Sequence, residues 1–236
     1  MGDPLLSSLV RERIAVALAA ALVIAMWGAP VFAPLSIAVV FAHECSHALA
    51  AVLTGGRVIR MEIGMDEGGG TWTEGGLPLL VLNAGYLGSL ASGLLLLRWV
   101  RWSRGLCAGI GAMSIGVAVG FMPWLSFGFA FAVLWGTALL ALASRGAPWV
   151  TASVVRLYGV FSVLYALGDI FADVFWLADA FWLADVFWLA DAFEAPRGTI
   201  SDATLLAERT GVPAMIWGAG WLFVGLTAVW FSRRRL

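Results

Sequence analysis

The sequence predicts an all-α integral membrane protein, a bundle of six or seven transmembrane helices with one small β-hairpin. Of the 236 residues, 61% are hydrophobic and only 12% are charged, and the mean hydropathy is +0.92. A soluble domain of this size carries about twice that share of charge. The apolar residues are also grouped into runs long enough to cross a bilayer. A net charge of −1 offers no basic surface for nucleic acid.

The first apolar run, residues 14–27, follows Arg11 and Arg13 and resembles a signal peptide. Pro34 would then follow the cleavage site, and another hydrophobic segment begins at once, so we interpret the run as a retained span. The other predicted spans are residues 35–53, 77–97, 106–122, 124–143, 150–167 and 212–231. The arginine clusters between them cannot all be cytoplasmic if each run crosses once, so the orientation stays open.

The periodicity changes between the second and third of these runs. Ile59, Met61 and Ile63 alternate with polar residues and glycine, which is typical of a strand. Three glycines at residues 68–70 favour a turn into residues 71–73. The segment is therefore either a β-hairpin that directly follows the second span or a simple interfacial loop.

Residues 171–193 contain an internal repeat, in which residues 172–183 begin again at Ala184. The repeat contains the aspartates Asp173, Asp179, Asp185 and Asp191. Six residues turn an α-helix by about 240°, so these acids spread over three directions and build no single face. The repeat therefore indicates tandem duplication rather than a cation-binding ladder. We interpret residues 1–236 as one membrane-embedded domain with the repeat at 171–193 as an insertion.

A short helix is predicted after the repeat. Ser201 is a typical N-cap, and Asp202 is an acid in the first turn. The helix is expected to end near Gly211, and Pro213 then opens the last span. Arg233 to Arg235 form a basic anchor at the end of the sequence.

His43, Glu44 and His47 lie inside the second apolar run, and the chain has no other histidines. Residues four apart on a helix lie about 40° apart, so both imidazoles project from one face and can bind one cation. Zinc-dependent hydrolases use this set, with two imidazoles on the metal and a carboxylate that takes a proton from the attacking water. In a soluble helix the motif can arise by chance. Within a bilayer an ionisable side chain costs about 2.5–3.5 kcal/mol, so a compensating role as a metal site is favoured.

Five stretches of the chain carry a resemblance to a known family. They are residues 41–49 (FAHECSHAL), 54–56 before the hairpin, 83–88 (NAGYLG), 169–170, and 201–207 (SDATLLA) before a Trp-containing final span. They resemble the site-2 protease family of membrane-embedded zinc metalloproteases, and most of all its small bacterial branch of peptidases. The resemblance implies Zn²⁺ as cofactor, a lipid bilayer as surroundings, and a membrane-protein or membrane-peptide substrate. It also implies a third metal ligand, an aspartate on a later span.

Asp169 matches that aspartate by its order along the chain and its sequence context. The Asn-Pro and Leu-Asp-Gly sequences that usually surround the aspartate are absent. A third protein ligand is needed because catalytic zinc normally has three plus a water molecule. Cys45 is a poor choice, since on a helix it points about 200° away from either histidine. We therefore expect His43, His47 and Asp169 to bind the metal. The alternatives are Asp173, Glu62 and Asp66.

The sequence thus predicts a multi-pass zinc metalloendopeptidase of the HExxH type, with Glu44 as general base to the water and then as acid to the leaving amine. All 14 basic residues are arginine, which suggests a GC-rich bacterial genome, so we expect the protein in a bacterial cell membrane. The strand around Ile59, Met61 and Ile63 is expected to pair with an unwound substrate, because an edge strand offers free backbone groups. The alternative is a catalytically silent peptidase-like scaffold that binds metal or partner helices, although such a scaffold has no need of Glu44. A transporter is disfavoured, since the repeat aspartates are not one-sided.

Overall fold

The computed structural model describes residues 4–179 and 201–232, which form eight α-helices and a two-stranded sheet. The elements are α1 Pro4–Ala25, α2 Ala33–Leu53, β1 Arg57–Ile63, β2 Gly69–Glu74, α3 Pro78–Arg98, α4 Ser103–Phe121, α5 Phe127–Arg145, α6 Pro148–Asp179, α7 Asp202–Thr210 and α8 Ala214–Ser232. Six described segments are long and apolar enough to span a membrane: Pro30–Leu53, Pro78–Arg98, Val100–Phe121, Phe127–Arg145, Pro148–Ala172 and Ala214–Ser232. The predicted helical membrane bundle with one small hairpin is confirmed.

The helix α1 carries Arg11, Glu12 and Arg13 and packs on α6. Arg156 of α6 donates two hydrogen bonds to Glu12, from Nε to Oε1 and from Nη2 to Oε2, each 2.7 Å long. A charged side chain in an apolar span is costly unless it is paired. The ion pair therefore accounts for Arg156 in α6 and joins α1 to the bundle.

The strands β1 and β2 form an antiparallel hairpin, as one of the two interpretations of this segment predicts. Met61 pairs with Thr71 and Ile63 with Gly69, so these four residues share one face of the hairpin. Met61 and Ile63 are buried among residues of α2, α4 and α5. The hairpin is therefore part of the packed bundle and not a free loop.

The helix α3 packs on both α2 and α6. Small residues allow its close approach to α6, because a Cβ atom added at Gly93 would lie 2.9 Å from the Gly159 carbonyl oxygen. At the same contact the Ser162 hydroxyl donates a hydrogen bond of 2.9 Å to the Ser89 carbonyl. Small residues and hydroxyl groups are typical of contacts between membrane helices. These contacts hold α3 as a fixed wall beside α2.

The helix α7 has the start and end that the sequence predicts. The Ser201 hydroxyl caps it by accepting a hydrogen bond from the Thr204 N–H, Asp202 lies in the first turn, and Gly211 follows the last turn with φ 72°. α7 packs on α3 and α8, and its first turn lies beside α2. α6 continues to Asp179, so the predicted insertion at 171–193 lies partly outside the described residues.

Candidate metal centre

The two histidines of α2 lie on one face of a largely apolar helix. Pro34 stands in the first turn of α2, where its missing N–H breaks no helical hydrogen bond. His43 and His47 are one turn apart, and their ring centroids are 4.7 Å apart. The predicted pairing of the two imidazoles is therefore present in the fold.

Asp202 joins the histidines from a distant part of the chain. Its Oδ2 atom lies 3.2 Å from Nε2 of His43 and 3.1 Å from Nε2 of His47. The ligand atoms of the three residues all lie within 4.8 Å of one another. With metal–ligand bonds of about 2.0–2.2 Å, the edges of a zinc tetrahedron are about 3.3–3.6 Å long. The donor types therefore fit a zinc ion, and the two separations from Asp202 are slightly shorter than such an edge.

His47 is oriented through its other ring nitrogen. Nδ1 lies 2.7 Å from the Val81 carbonyl oxygen of α3, and a carbonyl can only accept, so Nδ1 carries the proton. In neutral imidazole the lone pair of Nε2 then faces Oδ2 of Asp202 at 3.1 Å. Two acceptors at that distance repel each other unless a proton or a metal ion lies between them. A carbonyl behind the ring and a free lone pair in front of it are typical of metal-binding histidines.

The carboxyl group of Asp202 is ionised at neutral pH. Burial would raise its pKa, but when the rings of His43 and His47 are protonated, their hydrogen bonds and positive charges outweigh burial and lower the pKa of Asp202 to about 2. The first turn of α7 favours the same form, because the helix dipole stabilises an anion there. The ionised carboxylate is the form that binds a metal.

The helix α3 closes the site with Gly85 and Tyr86. A Cβ atom at Gly85 would overlap the Nε2 atoms of both His43 and His47. Tyr86 packs edge-on against His43, with ring centroids 4.7 Å apart, and Trp221 of α8 packs against Tyr86 at 5.0 Å. Gly85 therefore keeps side-chain atoms away from the metal-facing nitrogens, while Tyr86 fixes the ring of His43.

Glu44 lies beside the histidines and against the hairpin. Its side chain is buried, and Oε2 accepts a hydrogen bond of 2.7 Å from the Thr71 hydroxyl of β2. A Cβ atom at Gly69 would lie 2.7 Å from Oε1, so the glycine allows the strand to approach this closely. β2 thus engages one carboxylate oxygen through Thr71, while the other faces Gly69.

The structure brings together most, but not all, of the predicted site. His43 and His47 meet with Glu44 beside them, whereas the group of possible ligands in the described part of the chain contains Asp202 and not Asp169. The sequence did single out Asp202, as the acid in a capped first turn and within one of the five resembling stretches. A place in the first turn of a capped helix already explains an acid at this position. There was therefore no separate reason in the sequence to assign Asp202 as a metal ligand.

The other predicted residues with described side chains are not part of the group of possible ligands. Glu62 pairs with an arginine of its own strand, and Asp66 accepts a hydrogen bond within the turn. Ile59 is 54% exposed, whereas Met61 and Ile63 are buried in the bundle. The side chains of Met61 and Ile63 are therefore core residues. The side chain of the remaining alternative ligand, at position 173, lies outside the described residues.

A comparison with known protein families identifies the family of the chain. The sequence matches the family described as Peptidase M50B-like over residues 15–232, which includes the six candidate spans, the hairpin and α7. No curated protein and no solved structure gives a significant match. The match confirms the resemblance to the site-2 protease family. The chain therefore belongs to the Peptidase M50B-like family of membrane metallopeptidases.

Proposed function

We propose that the protein is an intramembrane zinc metallopeptidase that hydrolyses peptide bonds of membrane proteins or membrane peptides in a bacterial cell membrane. The observation that carries the proposal is the meeting of His43, His47 and Asp202 beside the buried carboxylate of Glu44. The whole chain would act as one peptidase domain, with residues 171–193 as an insertion.

We assign the three protein ligands to Nε2 of His43, Nε2 of His47 and an oxygen of Asp202, in place of Asp169. Three protein ligands with one open position are typical of catalytic zinc, whereas structural zinc sites are closed by four. When bound, zinc supplies a Lewis acid that polarises a water molecule and the carbonyl group of the peptide bond. The hydrogen bond from His47 Nδ1 to Val81 keeps that imidazole in the required tautomer.

Glu44 would move the proton during hydrolysis. Oε1 accepts a proton from water as the water oxygen attacks the carbonyl carbon, and the carboxyl group then donates it to the amine nitrogen as the C–N bond breaks. The Thr71 hydroxyl holds the opposite oxygen, Oε2, at 2.7 Å and so restricts the carboxylate to one orientation. Thr71 is therefore a positioning residue for the general base.

The sequence predicts that substrate pairs with the strand of Ile59, Met61 and Ile63, and we propose the other strand of the hairpin in its place. Two of these side chains are buried in the bundle. The edge of β1 is also packed at its end, because a Cβ atom at Gly128 of α5 would lie 3.0 Å from the Ile63 backbone nitrogen. β1 therefore has little room for an added strand near the metal centre.

The outer edge of β2 is the better place for the substrate. The Gly64 N–H donates to the Gly68 carbonyl, so Gly64 and Gly68 form a hydrogen-bonded pair. Along an antiparallel ladder such pairs alternate with pairs that are not hydrogen-bonded, which here are Ile63 with Gly69 and Met61 with Thr71. The backbone groups of Gly69 and Thr71 therefore point away from β1. These two residues are also the ones in contact with Glu44. An extended peptide added to this edge would have its peptide bonds freed from helical hydrogen bonds beside the general base.

Replacing Asp202 with Ala should remove most of the zinc from the purified protein, because only two imidazoles then remain. The matched change Asp169→Ala should leave the zinc content unchanged. Elemental analysis measures the zinc content of both variants and of Asp202→Asn, which is a milder substitution. Zinc loss from Asp169→Ala together with full zinc in Asp202→Ala would return the third position to Asp169.

Gly85→Ala should also lower the zinc content, because its methyl group would overlap the two metal-facing nitrogens. Gly116→Ala on α4 is the matched control, since a Cβ atom there meets nothing within 4 Å. Thermal unfolding in detergent shows whether both variants fold. A folded Gly85→Ala protein with wild-type zinc would argue against a metal at this position.

Glu44→Gln should retain zinc and slow peptide cleavage by at least about 10²-fold, because the amide cannot accept the proton of water. The measurement is cleavage of a set of transmembrane peptides in proteoliposomes, with and without a chelator. Equal rates for the variant and the wild type would exclude a general-base role. A wild-type protein that binds zinc but shows no chelator-sensitive cleavage would instead support the catalytically silent scaffold.

Thr71→Pro should raise KM for cleavage, because proline removes the outward N–H that would pair with substrate. Thr71→Val keeps that N–H but lacks the hydroxyl, so it should lower kcat with little change in KM. Steady-state kinetics in proteoliposomes separate the two effects, and zinc content should be normal in both. A proline variant with a wild-type KM would show that substrate does not pair with β2.

A further inference from the structure

The two strands of the hairpin are held in place by different means. β1 is anchored by Met61 and Ile63, whose side chains are buried among residues of α2, α4 and α5. β2 has no buried residue between Gly69 and Glu74, so side-chain packing does not fix it in the same way. β2 nevertheless carries Thr71, whose hydroxyl contacts the proposed general base. The contacts that hold β2 therefore bear directly on the metal centre.

The hydrogen bond between Thr71 and Glu44 depends closely on the position of β2. The Thr71 hydroxyl lies 2.7 Å from Oε2 of Glu44 and 3.1 Å from the backbone carbonyl oxygen of the same residue. A hydroxyl group has one hydrogen to donate, so the two oxygens compete for it. A small displacement of β2 would transfer the hydrogen bond to the backbone carbonyl and release the carboxyl group. The orientation of Glu44 therefore requires β2 to be fixed.

The turn between the strands is tied to α6 by a hydrogen bond. The Tyr165 hydroxyl of α6 donates to Oε2 of Glu67 over 2.7 Å. Glu67 is two residues before Gly69 and four before Thr71, so this contact lies where β2 begins. A carboxyl group among membrane helices is costly unless it has a partner, and the tyrosine hydroxyl supplies one. The hydrogen bond therefore joins the start of β2 to a helix outside the hairpin.

The backbone of the turn does not by itself explain a glutamate at position 67. Glu67 has a φ of 61°, in the left-handed region that favours glycine over residues with a Cβ atom. Glycine at this position would allow the same turn at a lower conformational cost. The side chain of Glu67 is therefore accounted for by its contact with Tyr165 and not by the shape of the turn.

The ring of Tyr165 is held by other aromatic side chains. It stacks on Phe161 of the same helix, with ring centroids 5.7 Å apart, and Trp27 lies 6.3 Å from it. Trp27 also stacks on Phe161 at 5.9 Å, and Phe161 is buried. Contacts of this kind restrict the rotation of an aromatic ring. The hydroxyl of Tyr165 is therefore a fixed point to which the turn is attached.

We infer that Glu67 and Tyr165 are positioning residues for the metal centre. Their hydrogen bond holds the start of β2 on α6, and β2 in turn keeps the Thr71 hydroxyl on the side chain of Glu44. The inference rests on the proposed function, because it concerns the orientation of the general base. It adds two residues that are not among the three proposed ligands, and it makes the place of α6 part of the geometry for hydrolysis.

Hydrogen exchange of the backbone amides in the zinc-loaded protein tests the contact without any need for cleavage. Tyr165→Phe removes only the hydroxyl and should raise the exchange rate of residues 64–71 by at least about tenfold, because a hydrogen bond to a carboxyl group no longer opposes local opening. Tyr158→Phe is the matched control. It removes the same atom from the same helix, but from a hydrogen bond to the Ala38 carbonyl, and should leave the exchange of the hairpin unchanged.

Two substitutions of Glu67 separate the contact from the shape of the turn. Glu67→Gly suits the left-handed backbone but lacks the acceptor, so it should raise the exchange rate of the hairpin as Tyr165→Phe does. Glu67→Gln keeps an acceptor oxygen for the Tyr165 hydroxyl and should stay near the wild type. If Glu67 served only the turn, Glu67→Gly would leave exchange unchanged or slow it. Unchanged or slower exchange in either Glu67→Gly or Tyr165→Phe overturns the inference.

A double-mutant cycle tests whether Tyr165 acts through Thr71. Tyr165→Phe should lower kcat severalfold with normal zinc content, and in a chain that already carries Thr71→Val it should lower kcat little further. A role in stability alone would give the same fold loss in both chains, and that result overturns the positioning role. A wild-type protein without chelator-sensitive cleavage would contradict the proposed function, whereas the exchange rates still decide whether Glu67 and Tyr165 hold β2.

Discussion

The meeting of one carboxylate with two imidazoles inside an apolar bundle is the constraint on which the other features of this protein depend. Oδ2 of Asp202 lies 3.2 and 3.1 Å from the Nε2 atoms of His43 and His47. Each group alone would be costly among membrane helices, whereas together they neutralise one another or bind a cation. The group needs α2 for the histidines, α3 for the Val81 carbonyl and α7 for the carboxylate. The bundle therefore has to bring three separate elements to one point.

A second constraint applies to the hairpin. Backbone that is not helical is tolerated at membrane depth only where protein covers it. Met61 and Ile63 anchor one face of the hairpin in the bundle. Gly69 then lets β2 come close enough for the Thr71 hydroxyl to reach Glu44. The same strand therefore orients the proposed base and presents backbone groups beside it. The short strand β2 therefore has both a packing role and a proposed role in hydrolysis.

Local patterns in the sequence were sufficient to predict the helices and the strand. They were not sufficient to predict which of these elements contact one another. Apolar runs predicted the spans, alternation predicted the strand, and Ser201 with Gly211 predicted both ends of α7. The four-residue spacing also paired His43 with His47, because that relation is internal to one helix. Asp202 is 159 residues from His43, and helix periodicity carries no information over such a separation. Alternation likewise indicated a strand with Met61 and Ile63 on its apolar face, without indicating which helices that face would pack against.

The packing of α7 shows how a short element can hold a metal ligand in place. Helices shorter than about 12–15 residues are marginal by themselves, so the nine residues of α7 depend on their neighbours. Ala203 and Leu206 are fully buried in a cluster with Tyr86 and Trp221. Tyr86 also contacts the ring of His43, so the position of the carboxylate and the orientation of one imidazole depend on the same aromatic pair. A displacement of α8 relative to α3 would therefore disturb two of the three proposed ligands at once.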